Sequence, residues 1–278
     1  MDLLKLREGQ RSDRQRAHRE QAEVASPSTN NITMMKIATW NLCLGLTNKK
    51  DYVYKTLNEE KIDICLLQEV EIENDYPIQL LTSRNFKIEV EKNTKKARSA
   101  IAIRDNIEYK RRLDLEEIDS GLVVIDINST RNYRIINLYR QFAPRNNLTQ
   151  TEHFSLQLRN IELLLQNLNG RKIIIAGDFN LDDSKRYSHS YTNKNLFEIL
   201  NSTFDDLNLY QLVEFPTWQR IVNNVKKESI LDHIYVQDPT IIENITHKIP
   251  LIGDHKLIMF EIVFTPEKIT PILKRNWH

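Results

Sequence analysis

The chain has 278 residues, 40% hydrophobic and 28% charged, with a formal net charge of +1. That length suffices for one large α/β domain, and the near-neutral balance excludes a surface that binds nucleic acid all over, so any basic footprint must be local. No apolar run approaches the roughly 18–20 residues that span a bilayer, and the polar N-terminus lacks a secretory signal, so an intracellular protein without membrane contact is expected, with the nucleus as one destination. Cys43 and Cys65 are too few for a disulfide framework and have no metal-type spacing, so no zinc site is expected.

In chain order, residues 1–34 read as a charged extension, either disordered or a solvated helix, with a linker at 26–31. A domain is expected over 35–264. Short apolar runs predict buried strands at 37–40 and 62–67, with helical spacing between them at 51–60. Further strands are expected at 99–104, 122–127 and 133–139. The clearest helix covers 151–168, with Phe154, Leu158, Ile161 and Leu165 on one face and Gly170 as its stop. Lys172 to Gly177 reads as a buried strand, residues 195–202 as a helix, and 230–236 and 257–264 as strands. A basic tail follows at 265–278. Many strands, few helices and polar loops predict a layered α/β domain with a mixed sheet, and the chain is expected to be monomeric.

Polar residues fall at the strand ends. Asn41 follows one strand, Gln68-Glu69 another; Tyr139 ends a third, and Asp178 and Asn180 a fourth. Asp232 opens a strand, and Asp254-His255 precedes the last. Strand ends of a layered sheet share a rim, where loops carry function. Their chemistry suits metal-assisted attack of water on a phosphodiester. Glu69 would bind a hard cation such as Mg²⁺, with Asn41 or Asp254 beside it. Asp178 would orient and deprotonate water, and Asn180 would fix that water or the phosphate. His255, backed by Asp232, would hold positive charge against the phosphate, and Tyr139 would donate to a phosphate oxygen or the leaving group. Two of the six glycines, Gly177 and Gly253, stand directly before Asp178 and Asp254, as suits crowded backbone or simply turns.

Three basic clusters are candidates for gripping DNA phosphates: Lys92, Lys95, Lys96 and Arg98; Lys110, Arg111 and Arg112; and Arg140 with Arg145. Asp182-Asp183 reads as loop solvation, and His233 as structural.

The motifs Thr39-Trp40-Asn41, Leu67-Gln68-Glu69-Val70, Leu138-Tyr139, Gly177-Asp178-Phe179-Asn180, Leu231-Asp232-His233-Ile234 and Gly253-Asp254-His255, in this order, resemble the endonuclease/exonuclease/phosphatase superfamily. They span about residues 36 to 263. The resemblance implies a four-layer α/β sandwich, with two packed mixed β-sheets flanked by helices and Mg²⁺ or Mn²⁺ at one rim. It makes Glu69 the metal ligand with Asn41 as neighbour, gives Asp178 and Asn180 the nucleophilic water, and puts Tyr139 and His255 on phosphate. Asp232 would orient His255, and Asp254 would support the metal or the histidine.

Cys43 and Gly253 depart from the family pattern, standing where an acidic or small residue and a serine are usual. Arg140-Gln141-Phe142-Ala143-Pro144 replaces the Pro-Asn turn of abasic-site endonucleases. Arg98 to Ile103, Tyr109 to Glu116 and Tyr139 to Phe142 resemble the endonuclease domains of non-LTR retrotransposons. The resemblance therefore implies a DNA-nicking endonuclease. An abasic-site repair enzyme, a phosphoinositide, sphingomyelin or RNA phosphodiesterase of the same fold, and a non-catalytic nucleic-acid-binding descendant are the alternatives.

Overall fold

Residue order gives the elements of the computed structural model, which describes residues 33–129, 131–142 and 147–264. Strand β1 (Thr33–Asn41) leads through α1 (Lys50–Glu59) to β2 (Ile64–Glu73), then β3 (Phe86–Val90) and β4 (Lys96–Arg104). Next come β5 (Tyr109–Arg111), β6 (Leu122–Ile127), β7 (Tyr133–Tyr139), α2 (Gln150–Gln166), β8 (Lys172–Asp178) and α3 (Lys194–Asp206). The chain closes with β9 (Tyr210–Gln211), β10 (Trp218–Val222), β11 (Val225–Ser229), β12 (Asp232–Val236), β13 (Ile242–Lys248) and β14 (Leu257–Phe264). Of the extension expected at 1–34, residues 1–32 lie outside the described residues, as do the tail at 265–278 and Arg145, while Thr33 and Met34 already belong to β1.

Two six-stranded sheets form, in the orders β13-β14-β1-β2-β4-β3 and β5-β6-β7-β8-β12-β9. Only β1–β2 and β7–β8 pair in parallel; the other pairs are antiparallel. Each sheet buries both faces, so its central strands are nearly continuous apolar runs. Ile37, Ile64, Ile101, Val123, Ile135 and Ile174 meet between the sheets. The outer face of the first sheet packs on Val53, Tyr54 and Leu57 of α1. That of the second packs on Phe154, Leu158 and Ile161 of α2 and Phe197 and Leu200 of α3. The architecture is the expected four-layer α/β sandwich.

Several boundaries differ from the sequence reading. Helix α2 ends at Gln166 with Asn167 as its cap, so Gly170 does not stop it; Asn169 and Gly170 instead make the left-handed turn into β8. Its start is fixed by a reciprocal capping box of Thr149 and Glu152, worth about 0.5–2 kcal/mol. Helix α3 runs four residues beyond its expected end, burying Phe204. Strand β2 does not stop before Glu69. It bulges there, with Glu69 and Glu71 at φ 53° and 50°, and continues to Glu73. Strands β3, β5, β9, β10, β11 and β13 were not expected. Among the described residues no helix is long and apolar enough to cross a membrane.

One polar cluster crosses the core between the sheets. Gln68 Nε2 donates to Asn137 Oδ1 at 2.7 Å, and Asn137 Nδ2 donates to the carbonyls of Leu67 and Ala100 at 2.9 and 2.8 Å. Side-chain groups buried this way must be bonded to be tolerated. Here they fix the height of β7 against β2, directly beneath Glu69.

Candidate active site

Topology brings the strand-end residues together. Asn41, Tyr139 and Asp178 are the C-terminal residues of β1, β7 and β8. Strand β12 runs antiparallel to β8 with Asp232 opposite Asp178, and β14 runs antiparallel to β1. The starts of β12 and β14 therefore lie at the same rim as the ends of the other three.

Asp178 stands at the centre and is fully buried. Its Oδ2 accepts from Asn41 Nδ2 at 2.7 Å across the two sheets, and its Oδ1 accepts from the Asn180 backbone N–H at 2.8 Å. Burial drives its carboxyl well above the ordinary range, and the Asp232 carboxylate adds to this. The nearby His255 and the two hydrogen bonds pull the other way without cancelling it. His255 Nδ1 lies 2.8 Å from Asp232 Oδ2. Burial alone would lower the imidazole, but Asp232, Asp178 and Asp254 around it raise it above its ordinary value. The imidazolium is thus the favoured form.

Tyr139 O–H donates to Glu69 Oε1 at 3.1 Å. Burial and the Asp178 and Glu69 carboxylates push its phenol up, so it stays a proton donor. Glu69 itself is held on left-handed backbone, a conformation that costs a non-glycine residue of order 1–3 kcal/mol and collects at functional sites. Cys43, at φ 49°, and Leu44, at φ 72°, show the same strain just past Asn41.

Two glycines have structural reasons. A Cβ on Gly177 would lie 1.9 Å from the Leu138 carbonyl oxygen, so close strand approach, beyond any turn, demands glycine before Asp178. Gly253, at φ +77°, would put a Cβ 2.8 Å from Cys43 Sγ. The residues at 43 and 253 therefore fit one another: the sulfur fills the space that a side chain at 253 would need.

The other expected site residues are placed as follows. Asn180 Nδ2 donates to the Arg140 carbonyl at 2.7 Å, which leaves the Asn180 side-chain oxygen for a water or phosphate. Asp254 Oδ1 accepts from Cys43 Sγ at 2.9 Å, on the His255 side of the rim. Among the described residues, Asp254 groups with Cys43 and His255, while Asp178 and Asp232 share His255; Glu69 belongs to neither group. Asn41 Oδ1 accepts from the Cys43 backbone N–H at 2.8 Å and retains a lone pair. His233 is buried, stacked on Phe179 and bonded to the Leu181 and Ile230 carbonyls.

Among the described residues, the arginines expected to grip phosphate are each bonded within the chain. Arg140 is buried, with Nε on the Phe179 carbonyl at 2.5 Å and Nη2 on the Asn180 carbonyl at 2.6 Å. It clamps the 177–180 turn and presents no surface to DNA. Arg111 is paired with Glu116 at 2.6 Å, Arg112 with Asp126 and Asp114, and Arg98 with Glu71. Asp182 is likewise buried, not solvated: its Oδ1 caps the Ile230 N–H.

The β10–β11 hairpin was missed by the sequence reading and adjoins the site. Trp218 bridges to His255, and Gln219 N–H donates to the Asp254 carbonyl at 3.0 Å. Its outer part exposes Arg220, Lys226 and Lys227.

No curated protein matches the sequence. Among solved structures, the chain is similar to the endonuclease domain of TRAS1, a telomere-specific non-LTR retrotransposon, at 17% identity and TM-score 0.64, covering 84% of this chain and 99% of that one. It is similar to the AP endonuclease LMAP of Leishmania major at 14% identity and TM-score 0.62, covering 86% and 92%. A 3′ phosphatase from Neisseria, bound to a product DNA hairpin, aligns at 16% identity and TM-score 0.62 over 83% and 100%. At such identities the likeness is one of fold. The family model, in contrast, matches residues 38–255, from β1 through His255, and the chain belongs to the Endonuclease/Exonuclease/phosphatase family.

Proposed function

We propose that the chain is a divalent-metal-dependent phosphodiesterase that nicks DNA by attack of water. The observation that carries this reading is the convergence of Asn41, Glu69, Tyr139, Asp178 and the Asp232–His255 pair on one rim, built from both sheets.

The donor set fits a hard cation. Glu69 offers a carboxylate from the strained bulge, and the free lone pair of Asn41 Oδ1 lies on the neighbouring strand. Mg²⁺ habitually takes one or two protein carboxylates and leaves its remaining positions to water and phosphate. When bound, the cation supplies charge stabilisation to the phosphate.

The chain's own groups do the rest. Asp178, raised by burial, is a stronger base than an ordinary carboxylate, and Asn41 and the Asn180 N–H fix its direction toward a water. His255 holds a proton and positive charge against the developing oxyanion, and Asp232 keeps its ring in place. Tyr139 O–H is a donor to a phosphate oxygen. Arg220 and Lys227, directly opposed on one face of the hairpin, replace the arginine clusters as the proposed DNA contact. The fold likeness to a retrotransposon endonuclease domain, together with Tyr139-Arg140-Gln141-Phe142, supports a mobile-element nuclease.

The test is cleavage of supercoiled plasmid, with and without Mg²⁺, and of plain and abasic duplexes. Metal-dependent nicking that vanishes on chelation and in Asp178→Ala is expected. Equal nicking by that variant, or none by the wild type, overturns the reading. A strong preference for the abasic duplex redirects it to repair.

A further inference from the structure

Cys43, beside Gly253, adds a sulfur donor next to Asp254 and His255, and the proposed reaction has no part for that sulfur. Cys43 Sγ, Asp254 and His255 place their ligand atoms within 4.8 Å of one another. The sulfur is 2.9 Å from Asp254 Oδ1. A tetrahedral Zn²⁺ with its usual bond lengths holds sulfur and oxygen ligands roughly 3.6 Å apart, so a small outward shift would admit the ion.

Three further features suit a bound thiolate. The Asp254 backbone N–H points at Sγ from 3.4 Å, and the His255 backbone N–H also bonds to it. Hydrogen bonds of this kind orient metal-bound ligands. Cys43 and Asp254 are only half-buried, which leaves a way in for an ion. The His255 ring is already oriented by the bond from Nδ1 to Asp232, so Nε2 is the nitrogen left to bind. This carboxylate–histidine arrangement is the one that holds zinc-binding histidines.

We propose that Cys43, Asp254 and His255 form a site for a thiophilic divalent cation such as Zn²⁺ or Cd²⁺, and that its occupation withdraws His255 from the phosphate and silences the enzyme. Binding exchanges two protons for the metal: the Cys43 S–H bond and the Nε2–H bond of the His255 imidazolium break, the sulfur–metal and nitrogen–metal bonds form, and both protons leave to solvent. Without metal the thiol stays protonated, because burial and then the Asp254 carboxylate push it up to about 12. A cation placed between sulfur and carboxylate removes the second cause. Mg²⁺ prefers oxygen ligands and does not compete well for such a set. The site joins residues 211 positions apart, which is why spacing rules do not reveal it. Binding stands independently of the proposed nuclease activity; the silencing rests on it.

The experiment is titration of the whole chain with Cd²⁺ in Mg²⁺ buffer, read by the ultraviolet sulfur-to-cadmium charge-transfer band. One equivalent should bind. The band should disappear in Cys43→Ser, weaken in affinity by at least about tenfold in Asp254→Asn, and persist in Cys65→Ser, because Cys65 is sealed in the core. No band in the wild type, or an unchanged band in Cys43→Ser, overturns the site. In parallel, Zn²⁺ added to nicking reactions with excess Mg²⁺ should inhibit the wild type at concentrations at least about tenfold below those needed for Cys43→Ser. A charge-transfer band with active enzyme but no differential inhibition overturns the silencing. A band with no cleavage of any phosphodiester leaves the metal site standing and removes the nuclease reading.

Discussion

Asn41 Nδ2 and Asp178 Oδ2 meet at 2.7 Å, and this bond ties the rim of one sheet to the rim of the other. It also points the Asp178 carboxylate in one direction, at the cost of keeping a charge away from bulk solvent. Asp178→Asn should therefore separate activity from stability. Nicking should fall by on the order of 10²–10³-fold or more, as for loss of other electrostatic groups at a reaction centre. The thermal transition should stay level or rise, because the variant removes a buried charge that burial already disfavours. Matched plasmid-nicking and melting curves check both. A large loss of stability would mean that the carboxylate is structural.

The Asp232–His255 pair predicts a pH effect with a definite sign. Asp232 raises the imidazole, so the wild type keeps its imidazolium to a higher pH than an ordinary histidine does. In Asp232→Asn the attraction is lost while burial still lowers the group. The basic limb of the rate profile should move to lower pH, with a loss of about 10²-fold near neutrality. Rates measured across the pH range for both proteins decide it; an unshifted basic limb would show that His255 is not the titrating group.

Much of this was legible in the sequence for reasons that can be named. Buried strands such as Lys172 to Asp178 carry continuous apolar runs, and a polar residue closing such a run must lie at a rim. What the sequence hid depended on tertiary approach. Glu69 looked like the residue after a strand, because a bulge leaves no mark in the apolar pattern. Three of the arginines looked free because a partner is remote in sequence, Asp126 for Arg112, Glu71 for Arg98 and backbone carbonyls for Arg140, whereas Glu116, the partner of Arg111, lies only five residues on. The β10–β11 hairpin did leave a signal that was passed over. Asn223-Asn224, both at positive φ, is a two-residue turn of the kind that joins hairpin strands.

Asp126 gives a stability prediction remote from the site. Its carboxylate takes two bonds from buried Arg134, at 2.7 and 2.9 Å, and one from Arg112 at 2.6 Å. Burial alone would raise its carboxyl, but these arginines hold it below its ordinary value. A depressed folded-state value means that the stabilisation is present above the unfolded value, about 3.9, and is lost as pH falls through the folded one. Asp126→Asn should cost about 3–5 kcal/mol at neutral pH, because it strands Arg134 in the core. Denaturant melts at neutral and acidic pH should show the gap between wild type and variant narrowing as pH falls. A constant gap would contradict the ion-pair account.

Arg140 distinguishes a clamp from a DNA contact. Its guanidinium holds the Phe179 and Asn180 carbonyls, and the Asn180 side chain returns a bond to the Arg140 carbonyl, so the turn after Asp178 is locked from both sides. Lysine has one donor centre and cannot span both carbonyls, so Arg140→Lys should release part of the turn at a stability cost of about 1.5–3 kcal/mol. The catalytic consequence should fall on kcat, by about tenfold or more, since a loosened turn misaims Asp178 and the Asn180 N–H. DNA affinity should stay near that of the wild type, and its salt dependence should keep the same slope, because no phosphate contact is removed. Substitution of Lys227 on the exposed hairpin should give the opposite pattern, with weaker binding, a shallower salt slope and little change in kcat. Binding isotherms over a series of salt concentrations, paired with single-turnover rates, separate the two. A reduced salt slope in Arg140→Lys would return that arginine to the DNA interface despite its burial.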